Sequence, residues 1–173
     1  MEPFDAARPL DALCEDIVAR YHAPLHRTLP LIREDLAAVS SVDGSQAVNM
    51  MRLAFAGLAD EIESNLSREE HLLFPALGAI ASAERDHRSP PPSPFATVLH
   101  PIRMMEAEHA RIESGMAFVR GLALEVGEPV SSMPAWQRCL HALSLIDAVI
   151  SEHHRTENEV LFPLALETER RVV

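Results

Sequence analysis

The chain has 173 residues, 47% hydrophobic and 5% aromatic, with a net charge of −11 in which all 15 basic residues are arginine. That length and apolar content suit one globular domain over 1–173 and exclude a disordered chain, while few aromatics and abundant Ala and Leu favour helix over strand. The acidic balance argues against a nucleic-acid partner, and no run of about 18 apolar residues exists to cross a membrane. The segment 1–8 has no apolar signal core, so a cytoplasmic protein, monomer or homodimer, is expected. Cys14 and Cys139 show no CxxC spacing, which predicts free, packed thiols in a reducing compartment.

Four segments carry helical periodicity, separated by breaks at Ser40–Ser45, at the proline-rich run Ser89–Pro94 and between Gly127 and Pro134. The pattern predicts helices over roughly 10–39, 45–82, 95–126 and 134–168. The first apolar stripe reads Cys14, Val18, His22, Leu25, Leu29, Ile32, Leu36, with Pro24 and Pro30 expected to kink the helix without ending it. The second reads Met51, Phe55, Leu58, Ile62, Asn65, Glu69, Leu72, Ala76. The third reads Ile102, Met105, His109, Ile112, Met116, Val119. The fourth reads Cys139, Leu143, Ile146, Ile150, His153, Glu157, Val160, Leu164. Such seams predict an all-α, up-down-up-down antiparallel four-helix bundle.

Every seam is interrupted by polar residues: His22, then Asn65 and Glu69, then His109, then His153 and Glu157. Burying a carboxylate without a partner costs several kcal/mol, so these residues need a common explanation. Each lies about 18 to 23 residues from its neighbouring turn, which at ~1.5 Å rise per residue brings all four helices' polar positions to one level. The chain also repeats itself. Glu69-Glu70-His71-Leu72-Leu73-Phe74-Pro75 matches Glu157-Asn158-Glu159-Val160-Leu161-Phe162-Pro163, and His22 corresponds to His109. Each half is a helical hairpin giving one His from its first helix and an i, i+4 pair from its second, Asn65/Glu69 or His153/Glu157. Imidazoles capping two adjacent metal ions, with carboxylates bridging them, would account for the set; a metal-free polar network is the competing account.

Other polar residues rank lower. His26 borders the seam as a rim residue or a substitute ligand, and His154 neighbours it as a supporting or surface group. His71, His87, His100 and His141 fall on solvent-facing positions. Tyr21 points about 100° away from His22, which suggests packing or partial exposure, and Met105 fills core space one turn before His109.

Arg20-Tyr21-His22, His26-Arg27-Thr28-Leu29-Pro30, Glu69-Glu70-x-x-Leu73-Phe74-Pro75, Pro101-Ile102-x-x-Met105-Glu106-x-Glu108-His109 and His153-x-x-x-Glu157-Asn158-x-x-Leu161-Phe162-Pro163 together resemble the hemerythrin/HHE cation-binding family, in particular the branch containing iron-centre repair proteins. The resemblance implies a non-haem iron centre, two ions or one, with His22, His109 and His153 as imidazole ligands and Glu69 and Glu157 as bridges. Asn65 stands where the family has His, and the repair proteins' Cys-containing N-terminal domain is not expected here. On this basis His109 and His153 are paired on the tighter ion, and His22 and Asn65 on the weaker. The implied role is binding or sensing oxygen, nitric oxide or oxidative stress, with iron donation to damaged iron–sulfur centres as the alternative, or a mononuclear or empty site. An enzyme is not expected: on the seams the spacing is His-x-x-x-Glu, at His153/Glu157 alone, whereas di-iron oxidoreductases use Glu-x-x-His on two helices.

Overall fold

The computed structural model describes residues 8–91 and 94–172. Residues 1–7, on which the reading of the N-terminus rests, and Pro92-Ser93 of the proline-rich connection lie outside the described residues. Four long helices carry the fold: α1 (10–42), α2 (46–85), α3 (Leu99–Ala123) and α4 (134–172). They run up-down-up-down, as the seams predict. Ser45 caps α2 by accepting from the Val48 N–H, and Pro134 opens α4 at a position where no N–H is needed. α3 starts at Leu99 rather than near 95, because the Glu169 carboxylate of α4 accepts from the Val98 N–H and the Thr97 hydroxyl and holds those residues outside the helix.

Three of the helices contain a π turn, over Val18–His22 in α1, Glu69–Leu73 in α2 and Glu157–Leu161 in α4. In each, the N–H of the following residue reaches back five positions: Ala23 to Val18, Phe74 to Glu69, Phe162 to Glu157. The next residue is then a proline, Pro24, Pro75 or Pro163. A proline lacks the N–H for the i−4 carbonyl and crowds that carbonyl, so a widened turn just before it lets the helix continue. Pro30, with no such turn, is carried inside the last α-helical part of α1.

The extra residue corrects the sequence stripes. Beyond the turn in α2 the core positions are Leu73, Leu77 and Ile80, while Leu72 is 48% exposed. In α4 they are Leu161, Phe162 and Ala165 instead of Val160 and Leu164, and in α1 Val18 gives way to Ile17 and Tyr21. A pattern extrapolated at 3.6 residues per turn slips by one residue across each π turn.

The apolar core is therefore in two parts. One contains Leu25 to Val39 of α1, Val48 to Leu66 of α2, Ile112 to Leu122 of α3 and Trp136 to Ile150 of α4. The other contains Leu10 to Tyr21, Leu73 to Ala81, Val98 to Met105 and Leu161 to Ala165. The polar residues of all four helices lie between them, sealed above and below by side chains that exclude water. Cys14 and Cys139 are free and buried.

α2 and α3 approach closely at Gly115, where a Cβ would lie 2.8 Å from Cδ1 of the buried Leu58. Gly115→Leu is expected to destabilise the protein by about 1–3 kcal/mol through overpacking. Gly57→Ala, with nothing within 4 Å of the added methyl, should stabilise it by about 0.5–1 kcal/mol through helix propensity. Urea unfolding of both variants checks the contrast.

Candidate metal centre

The structure brings His22, Glu69, His109, His153 and Glu157 together between the two halves of the core, each at most 1% exposed. Each π turn begins or ends at a member of this group: His22 closes one, Glu69 opens the second and Glu157 opens the third. The His22, Glu69, His153 and Glu157 side chains each offer one ligand atom, and these four atoms lie within 4.8 Å of one another.

The carboxylate oxygens divide between two sides. Oε2 of Glu69 lies 3.2 Å from Nε2 of His22 and 3.5 Å from Nε2 of His153. Oε1 of Glu157 lies 3.3 Å from that same His153 nitrogen. On the other side, Nε2 of His109 lies 3.4 Å from Oε1 of Glu69 and 3.2 Å from Oε2 of Glu157. Each carboxylate thus turns one oxygen to the His22/His153 side and one to the His109 side. Nε2 of His22 and Nε2 of His153 are 3.2 Å apart, so these two imidazoles pair. This corrects the sequence-based pairing of His109 with His153: hairpin membership does not decide which rings meet.

These separations fit a metal. Ligands about 2.1 Å from a first-row ion stand about 3.0–3.4 Å from each other. Oε2 of Glu69 and both carboxylate oxygens of Glu157 are buried without a hydrogen bond among the described residues; the imidazole nitrogens are near them but not aligned to donate. Carboxylate lone pairs and imidazole Nε2 atoms converging in a dry layer form a cation-binding donor set.

The outer nitrogens are anchored by the repeat. Nδ1–H of His22 donates to Oε1 of Glu70 at 2.7 Å, and Nδ1–H of His109 donates to Oδ1 of Asn158 at 3.1 Å. These contacts select the tautomer that leaves Nε2 facing inward. Phe74 stacks on His22 with ring centroids 5.7 Å apart, and its repeat partner Phe162 stacks on His109 at 6.0 Å.

Asn65 reaches the layer, but its side-chain N–H groups donate to Oε2 of Glu108 at 3.2 Å and to the Met105 sulfur at 3.4 Å. Glu108 is held in turn by Arg68 at 2.8 Å. Oδ1 of Asn65 stays buried and unpartnered among the described residues. His26 is a half-exposed rim group 3.5 Å from Glu70, and His71, His87, His100 and His141 are exposed.

Two neighbours take the inner of the alternatives that the sequence left open. Tyr21 is buried, stacks on His153 at 5.5 Å and shares a 3.1 Å hydrogen bond with the Thr156 hydroxyl. The π turn, wider than an α turn, brings both Tyr21 and His22 inward. His154 is 2% exposed, stacks on His109 at 3.9 Å and donates its Nδ1–H to Glu113 at 3.2 Å. The sequence signal for the π turns of α2 and α4 was the adjacent apolar pair before a proline, Leu73-Phe74-Pro75 and Leu161-Phe162-Pro163.

Without metal, protons supply the positive charge. Burial opposes protonation of His109, but Glu157 and Glu69 outweigh it and raise its pKa to about 9. The same balance raises His153 to about 10. Burial alone would raise the Glu69 carboxyl, yet His109, His153 and His22 hold it well below the usual carboxylate range. His154 is pushed down to about 2 by burial, then by the charges on His109 and His153, and stays neutral. Folding therefore takes up protons on His109 and His153 above their ordinary value of 6.5, so stability falls as pH rises from there through about 9–10. Below 6.5 the unfolded chain binds more protons, on His154 and then on Glu69, so stability falls toward acid as well. Metal-free protein is expected to have its highest melting temperature near pH 6.5. A melting temperature still climbing between pH 7 and 9 would contradict this charge balance.

The comparisons with known proteins agree with the geometry. The model of the hemerythrin HHE cation-binding domain matches residues 100–172, which hold His109, His153 and Glu157. The chain is 27% identical over 168 residues to the iron-sulfur cluster repair protein YtfE of Yersinia pseudotuberculosis, covering 94% of this chain and 68% of that protein. The same figures hold for YtfE of Yersinia pestis. YtfE of Edwardsiella ictaluri is 29% identical over 160 residues, covering 91% of this chain and 66% of that protein. These matches take in the first hairpin, with His22 and Glu69, as well as the second. The chain is thus similar to the hemerythrin HHE cation-binding domain over its second hairpin and to the YtfE repair proteins over nearly its whole length.

Proposed function

We propose that this chain is a non-haem iron protein that holds two ions across Glu69 and Glu157 and passes iron to damaged iron–sulfur centres. The observation that carries the two-ion reading is the division of the carboxylate oxygens, one from each glutamate on the His22/His153 side and one on the His109 side. The repair role is supported by the name of the relatives, iron-sulfur cluster repair proteins. His22, His153, Glu69 and Glu157 would hold one ion, and His109, both glutamates and Oδ1 of Asn65 the other. Ferrous iron there supplies open coordination positions for a small ligand and a transferable ion.

The chain's own residues hold the site, exclude water through Phe74, Phe162 and Tyr21, and keep the inward nitrogens available. Binding and release, rather than turnover, is the proposed role. Burial pushes the Cys14 thiol up and the Cys139 thiol up to about 12, so neither is a thiolate nucleophile. A second reading, capture of oxygen or nitric oxide in a cytoplasmic stress response, is favoured by the aromatic rings that keep the layer dry.

Anaerobic reconstitution with ferrous iron should give more than one iron per chain, and Glu69→Gln should lose both ions because Glu69 faces both sides. Iron analysis checks this, and a reconstituted protein with no bound iron overturns the reading. Mixing the loaded protein with an apo iron–sulfur acceptor separates the two roles. Iron appearing in the acceptor supports repair; retained iron with an optical change on adding nitric oxide supports capture.

A further inference from the structure

The two sides of the centre are built from unequal parts. The His22/His153 side has two imidazoles 3.2 Å apart at Nε2, together with one oxygen from each glutamate. The His109 side has one imidazole and the remaining two oxygens. By the repeat, the residue matching His153 on this side is Asn65, a neutral amide whose N–H groups are committed to Glu108 and Met105, leaving Oδ1, unpartnered among the described residues, to offer. A neutral amide oxygen is a much weaker donor than an imidazole to a ferrous ion.

The outer contacts are unequal in the same direction. His22 donates its Nδ1–H to a carboxylate, Glu70, at 2.7 Å. At the repeat position His109 donates to the amide oxygen of Asn158, at 3.1 Å. A carboxylate on the far nitrogen makes Nε2 a more basic ligand than an amide does. Donor set and outer charge both favour the His22/His153 side.

We propose that the chain keeps one iron between His22 and His153 and releases the other from the His109 side, with Asn65 and Asn158 as the residues that make the second ion labile. The inference rests on the iron reading above and deepens it: the protein would deliver one iron per cycle while the retained ion keeps the layer charged and folded. The retained ion would hold Glu69 and Glu157 in place, so the emptied side would stay formed for reloading.

The test is release of ferrous iron from the loaded protein to an excess of a ferrous chelator under anaerobic conditions, followed optically. Wild type should lose iron in two phases of about equal size, differing in rate by roughly tenfold or more. Asn158→Asp, at an exposed position, should slow the fast phase roughly 10–100-fold, the usual scale for an outer contact to a ligating His. Asn65→His should slow it as well. His109→Ala should remove the fast phase and keep about one iron, whereas His153→Ala should cost the slow one. Circular dichroism of each variant confirms that the helices remain. Single-phase release from wild type, or an Asn158→Asp fast phase that is unchanged, overturns the inference and leaves the two-ion reading standing. A wild-type protein that binds no iron overturns both.

Discussion

The structure depends on two carboxylates, Glu69 and Glu157, placed where two apolar cores meet. Taking such charges out of water costs several kcal/mol each, and leaving one unpaired is among the most destabilising changes a core can suffer. Positive charge must accompany them. Three imidazoles stand against them, His22, His109 and His153, one from each of three helices. In the metal-free protein the charge arrives as protons on His109 and His153; a bound cation would take their place. Metal uptake and proton release are then two sides of one requirement.

The backbone is arranged around that requirement. Just before three prolines the layer has adjacent residues inside: Tyr21 with His22, Leu73 with Phe74, Leu161 with Phe162. The π turns supply this, and the prolines that follow them remove the hydrogen bonds that a regular helix would have made there. Helix α3 has no π turn, and there His109 stands on an unbroken seam between Met105 and Ile112. The internal repeat is thus close in the second helix of each hairpin and looser in the first.

Pseudo-symmetry matters because of where it fails. Phe74 and Phe162 repeat faithfully, each stacked on its hairpin's histidine. Glu70 and Asn158 make the same contact with different charge, and Asn65 and His153 occupy the same place with different donors. Two similar halves therefore enclose two dissimilar positions. His154 adds a neutral ring on the His109 side alone, at 3.9 Å, with no matching ring stacked on His22 from α2, where the corresponding residue is Leu66.

Spacing along the chain was enough to determine the four-helix architecture, the existence of the polar layer and the membership of His22, Glu69, His109, His153 and Glu157 in it. Each of these follows from a local period and a count of residues to the nearest turn, which a sequence carries directly. The contacts of His22 with Glu70 and of His109 with Asn158 came from the structure, although the repeat places both residues directly after the two glutamates. Tertiary structure alone decided that His22 pairs with His153, that Asn65 turns its amide toward Glu108, and that Tyr21 and His154 lie against the site. Those facts depend on the rotation of each helix about its own axis. One extra residue in a π turn changes that rotation by about 100°, and a 3.6-residue pattern has no way to record it.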